Sequence, residues 1–128
     1  MSDDALIRPV EIILHSASRQ LELRFADGRE VCFSHEFLRV FSPSAEVRGH
    51  GPGQETLQTS KKDVCLIRLE PVGHYALRLT FSDGHDSGLY SWVYLDELGT
   101  RQETLWQDYL TRLRTAGGSR EAVTSAPS

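Results

Sequence analysis

Cysteine, methionine and long apolar runs are scarce in this 128-residue chain, which has two cysteines, Cys32 and Cys65, and one methionine. Two thiols are too few for a secreted disulfide scaffold, and no Cys-x-x-Cys pair is present for zinc, iron–sulfur or thiol-exchange chemistry. The expectation is two buried structural thiols in a reducing cytoplasm. No apolar run approaches the roughly 20 residues of a membrane span, and Met1-Ser2-Asp3-Asp4 is acidic where a signal peptide is basic. No membrane partner is expected. Positive charge is short as well: 14 Lys and Arg stand against 18 Asp and Glu, a net charge of −4, with no basic tract. That excludes an electrostatic grip on nucleic acid. No Gly-x-Ser-x-Gly elbow, Walker loop or dinucleotide fingerprint occurs. His35-Glu36 opens like a zinc-protease helix motif, but position 39 is Arg where the second His belongs. The five histidines, His15, His35, His50, His74 and His85, form no pair at a metal-site spacing.

What is present is an ordinary globular composition, 39% hydrophobic and 25% charged. A chain this long removes roughly two-thirds of its unfolded surface from water on folding, so one domain with a core of its own is expected. Pro9 to His15 is a β-branched run of strand length, and Leu21-Glu-Leu-Arg-Phe25 alternates strictly. Separated by Ser16-Ala-Ser-Arg-Gln20, the two predict a hairpin. Asp27-Gly28 supplies a tight turn into a short strand, Val31-Cys32-Phe33. Ser34 then caps a short helix through Phe37, Leu38 and Phe41, stopped by Pro43. After a loop the pattern returns: Val64 to Leu69, Tyr75 to Phe81 with Tyr75, Leu77, Leu79 and Phe81 on one face, a second Asp-Gly turn at Asp83-Gly84, a short strand near Gly88 to Tyr90, and Ser91 capping a helix closed by Gly99.

The halves echo each other. Phe25-Ala-Asp-Gly28 matches Phe81-Ser-Asp-Gly84, and Ser34-His-Glu-Phe-Leu38 matches Ser91-Trp-Val-Tyr-Leu95. Duplication and chance likeness of two hairpin-plus-helix units both produce this. Either way the fold class is α+β, a mainly antiparallel sheet built from two hairpin-plus-short-helix units with a C-terminal amphipathic helix. That last helix spans Thr100 to about Thr115. Thr100-Arg-Gln-Glu103 has capping-box form, and Leu105, Trp106, Tyr109, Leu110 and Leu113 form its stripe. Tyr90, Trp92, Tyr94 and Trp106 read as core aromatics, with the lining of a pocket as the alternative. Residues 1–8 are expected to be a flexible start, 9–115 the single domain, and 116–128 a disordered tail.

From Ser42 to about Asp63 the pattern dissolves into Gly, Pro, Ser and charge, and a structureless connection that long is uncommon inside a compact domain. Gly49, Gly51 and Gly53 let backbone N–H groups approach an anion, while Arg48, His50, Lys61 and Lys62 add positive charge. The candidate binding residues are therefore Arg48, His50, Gly51, Gly53 and Gln54. The loop holds a phosphate or carboxylate, docks on an acidic partner, or is a mobile surface segment in which nothing packs.

Three motifs together resemble a known family: Asp27-Gly-Arg29 with Phe37-Leu-Arg39, then Ser42-Pro-Ser-Ala-Glu-Val-Arg-Gly-His-Gly-Pro-Gly-Gln54, then Asp83-Gly-His-Asp-Ser-Gly-Leu-Tyr-Ser-Trp-Val-Tyr-Leu95. The chain is similar, over roughly residues 9 to 98, to the gamma-butyrobetaine hydroxylase-like N-terminal domain. The resemblance implies a small α+β module without catalytic residues of its own. Such modules occur alone in bacteria, in front of the oxygenase domain of carnitine-synthesis hydroxylases, and on iron–sulfur scaffold ATPases. The hydroxylase members hold a structural zinc with three cysteines and a histidine. By that resemblance the cysteine positions here are Ser42, Ser44 and Val47, and only His85 remains at the place of the fourth ligand. Hydroxyls and a valine do not replace thiolates on zinc, so no metal or other cofactor is expected. Without the oxygenase domain, no enzyme activity carries over.

The resulting expectation is a non-catalytic cytoplasmic accessory module for an unknown protein partner, monomeric or weakly dimeric, with a link to cofactor or iron–sulfur assembly implied only by the resemblance. The alternatives are a zinc- or iron-binding protein using His85 with His50, Asp86 or Glu46, and an anion or small-ligand binder through loop 48–54.

Overall fold

The computed structural model of the chain describes residues 8–48 and 56–121. The first unit is a three-stranded antiparallel sheet, β1 (Glu11–His15), β2 (Gln20–Arg24) and β3 (Glu30–Ser34), with β2 in the centre. Glu11 opposes Arg24 and His15 opposes Gln20, so the expected hairpin forms in a register that keeps Leu21 and Leu23 inward. Ser34 Oγ accepts the Phe37 N–H at 3.0 Å and starts α1 (His35–Val40). The second unit repeats the order: β4 (Leu66–Val72), β5 (Ala76–Phe81) and β6 (Leu89–Ser91) form a separate antiparallel sheet with β5 central, and α3 (Trp92–Thr100) follows. Ser91 Oγ accepts the Tyr94 N–H at 3.0 Å, the counterpart of the Ser34 cap. α4 (Gln102–Ala116) closes the chain on a left-handed Gly117 at φ 72°.

The echo seen in the sequence is an echo in backbone geometry. Gly28 and Gly84 sit at φ 91° and 88°. Asp27 Oδ1 accepts the Arg29 N–H at 3.1 Å, and Asp83 Oδ1 accepts the His85 N–H at 3.2 Å. Each unit also ties its helix start to the preceding hairpin, through His35 N–H to Arg19 O and Trp92 N–H to Tyr75 O, both 3.0 Å. The two sheets nonetheless share one core, in which Leu21, Leu23 and Phe33 pack with Leu77, Leu79 and Phe81. Among the described residues no helix is long and apolar enough to cross a membrane.

Five local expectations are corrected. The loop after Ser42 contains one turn of helix, α2 (Ala45–Arg48), because Ser44 Oγ takes the Glu46 N–H at 3.2 Å and starts it. Gly99 does not close α3 but lies inside it, where a Cβ would come within 3.3 Å of Val31 Cγ1; its lack of a side chain lets the helix lie against β3. Thr100 therefore belongs to α3, and its hydroxyl donates to Asp96 O at 3.0 Å instead of capping α4. Cys32 is exposed and Cys65 half-buried, since strand alternation turns Cys32 away from the face that buries Phe33. Ser119 and Arg120, placed in a tail by their composition, are fastened to the domain: Ser60 N–H donates to Ser119 O at 2.8 Å and Lys62 N–H to Arg120 O at 2.9 Å. Residues 1–7 and 122–128 lie outside the described residues.

Candidate functional site

α1 is six residues long and buried on every side, including His35, Glu36 and Arg39. A buried polar group is costly unless it finds a partner; each of these three residues finds one far along the chain, while His35 Nε2 is buried without one among the described residues. His35 Nδ1 accepts the Leu66 N–H at 2.9 Å, which makes the ring neutral with its proton on Nε2. Glu36 receives Nε and Nη2 of Arg120, both at 2.7 Å, in a bidentate pair. Arg39 donates to Asp83 Oδ2 at 2.8 Å and to Gln58 Oε1 at 2.9 Å. Asp83 also receives Lys61 at 2.7 Å. Burial works against the Asp83 carboxylate, but Lys61, the His85 N–H and Arg39 together outweigh it and hold its pKa down to about 2.

Next to this cluster lies the position at which the resemblance places a zinc. Ser42, Ser44 and His85 do come together: the Ser42 hydroxyl meets His85 Nε2 at 2.8 Å, Ser44 N–H donates to Ser42 Oγ at 3.3 Å, and Ser44 Oγ meets Ser87 Oγ at 2.7 Å. Gly88 makes room for this, because a Cβ there would collide with Ser42 Oγ. On the far side of the ring, Nδ1 faces Glu46 Oε2 at 3.4 Å. Burial first, and then the Arg39 charge, lower the His85 pKa against the pull of Glu46 and Asp83, and keep the imidazole neutral. Nδ1–H then points to Glu46 and Nε2 accepts from Ser42. Among the described residues no three His, Cys, Asp or Glu side chains gather as a metal site. Asp86, named as a possible companion of His85, pairs with Arg78 at 3.1 Å instead.

Ser42, His85 and Glu46 have the connectivity of a nucleophile, base and carboxylate. The geometry is that of a structural hub instead: Ser42 is 1% exposed, its oxygen is already occupied by the Ser44 N–H and lies beneath Gly88, and Glu46 is 72% exposed at its outer end.

The candidate loop is only partly described. Arg48 ends α2, exposed, with its guanidinium 4.9 Å over the Tyr94 ring. His50, Gly51, Gly53 and Gln54 lie outside the described residues. Lys61 and Lys62, expected to add charge to the loop, are paired elsewhere, with Asp83 and with Glu121 at 3.0 Å. What the sequence reasoning missed is a cavity beside Arg48. It lies between the end of α1, α2, α3 and α4, and Arg101 and Arg112 join Arg48 in lining it. Part of the signal was available: Arg101, just before α4, recurs at helical spacing with Leu105, Tyr109 and Arg112 within it.

Comparison with known proteins agrees with the motifs. The chain matches the family described as Gamma-butyrobetaine hydroxylase-like, N-terminal, over residues 12–96, and it belongs to that family. Two NMR solution structures of similar proteins are 51% and 47% identical, each over 94% of this chain and over 94% and 90% of theirs, with TM-scores of 0.78 and 0.77. The crystal structure of a DUF971-family protein of unknown function from Acidithiobacillus ferrooxidans ATCC 23270 is 38% identical over 77% of this chain and 98% of that one, with a TM-score of 0.63. No curated protein matches the chain. The match is to the family's N-terminal domain, a small domain without evident catalytic function.

Proposed function

We propose that the chain is a non-catalytic accessory module that binds a protein partner through the face carrying Arg48, and that it works without a bound metal or cofactor. The observation that supports this most is the use of its polar junction: Ser42, His85, Asp83, Arg39 and Glu36 are all taken up in contacts that join the two units to each other and to the C-terminal segment. Groups committed in this way hold a shape and do not turn over a substrate. Arg48, by contrast, is exposed at a helix end and steadied by an aromatic face, which suits a contact residue. The family's link to cofactor and iron–sulfur assembly makes a protein of such a pathway the natural partner, with the chain acting in the cytoplasm as a monomer or weak homodimer.

Affinity capture with the full chain tests the reading. The wild type recovers a partner that the Arg48→Ala, His50→Ala double variant loses while melting at the same temperature; equal recovery by both rejects this face. Elemental analysis of protein prepared without a histidine tag is expected to find zinc and iron far below one atom per chain. A stoichiometric metal reinstates the His85 alternative.

A further inference from the structure

The cavity beside Arg48 has a volume of about 330 Å3, toward the lower end of small-molecule sites, which run from roughly 300 to 1,000 Å3. Its floor is apolar: Val40, Val47, Leu98 and Tyr109 are buried, and Leu57 and Leu105 are half-buried along its sides. The Tyr109 hydroxyl donates to Gln58 O at 2.7 Å, so this end of the floor offers a ligand no free polar group. The charge along the lining is one-sided. Arg48, Arg101 and Arg112 line it, and the one carboxylate among the described lining residues is Glu97, whose Oε1 stands 3.7 Å from Arg101 without a hydrogen bond. Arg48 is pre-positioned over Tyr94.

A small apolar chamber with several guanidinium groups and one carboxylate selects a ligand with the same division. The apolar half fills the floor, and an anionic head meets planar donors that match two oxygens at once. We propose that this cavity binds a small amphipathic carboxylate, with its hydrocarbon part on the floor between α1, α3 and α4 and its head group at Arg48, Arg101 and Arg112. The proposal concerns the same face as the partner reading but goes beyond it, to a small-molecule ligand in place of a protein. Neither a bare inorganic anion, which leaves the floor unfilled, nor a neutral alcohol, which leaves the arginines unanswered, satisfies both halves.

Titration of the isotope-labelled full chain with sodium octanoate, followed by two-dimensional amide NMR, tests it. The expected result is saturable shifts at Leu57, Tyr94, Leu98 and Leu105. Octan-1-ol is expected to bind about tenfold more weakly or worse, and inorganic phosphate to give no saturable shift at these four amides. The Arg101→Gln, Arg112→Gln double variant should lose about tenfold in octanoate affinity while its melting temperature and octan-1-ol binding stay unchanged. Absence of saturable shifts at the cavity overturns the proposal. So does equal affinity for octanoate and octan-1-ol, an unchanged affinity in the double variant, or phosphate saturating the same amides. Partner capture is read separately: octanoate failing while capture still depends on Arg48 defeats only this inference, and the reverse pattern defeats only the partner reading.

Discussion

Two buried histidines make stability depend on pH in a direction the contacts dictate. His35 is held neutral because its Nδ1 accepts a backbone N–H, and burial lowers its pKa against the pull of the Gln20 backbone. His85 is lowered by burial and by Arg39, with Glu46 and Asp83 opposing. A histidine lowered in the folded chain binds its proton more readily when unfolded, so acid favours unfolding. The stabilisation these two rings support is complete above the ordinary value of 6.5 and is lost as pH falls from there towards the lowered folded values. Asp83 acts in a separate window: its contribution is complete above 3.8 and disappears as pH falls to about 2. Urea unfolding midpoints should therefore hold steady above neutrality, decline on the acid side of 6.5, and decline again below 3.8. A midpoint unchanged across the first window shows that neither ring is kept neutral by the fold. At this scale the sequence revealed which residue types stood at 42, 44, 47 and 85, but not that Ser42 and His85 would bond each other directly.

The turns and helix ends separate what local sequence decides from what packing decides. Asp27-Gly28 and Asp83-Gly84 were readable because a left-handed residue in a tight turn needs glycine, and the Ser34 and Ser91 caps because a hydroxyl there satisfies an otherwise unpaired N–H. A Cβ at Gly28 or Gly84 meets nothing within 4 Å, so replacing either by alanine tests backbone strain alone. Gly28→Ala and Gly84→Ala should each cost about 1–2 kcal/mol, and by similar amounts because the turns are equivalent. Gly88→Ala should cost more, since its Cβ would displace Ser42 from His85. Chemical denaturation of the three variants checks the order; unequal losses at 28 and 84 contradict the equivalence of the turns. The capping-box pattern at Thr100 failed for a physical reason. α3 continues through Gly99 and Thr100 because the bare glycine lets it sit against Val31 and Phe33, and that packing outweighs a terminal hydrogen bond.

The whole molecule is held by contacts between segments that are distant in sequence. Glu36 and Arg120 are 84 positions apart, and their bidentate pair fastens the segment after α4 onto α1, with Arg120 also stacked 5.2 Å over Trp106. Arg120→Met keeps much of the stacking but leaves a buried carboxylate without its partner, and a loss of about 1.5–3 kcal/mol is expected in urea unfolding. A loss below about 0.5 kcal/mol, the ordinary scale of a surface substitution, shows that the pair is solvated and idle. The sequence by itself determined the elements other than α2. Alternation marked β2 and β5, Asp-Gly and serine marked the turns and caps, and the repeated order marked two like units, because each of these is a property of neighbouring residues. Only the tertiary structure decided that the units form two sheets around one core, that the polar residues of α1 find Leu66, Arg120 and Asp83, and that Arg48 of α2 joins Arg101 and Arg112 at one cavity. Such pairings depend on how elements pack in space, and no local spacing in the chain encodes them.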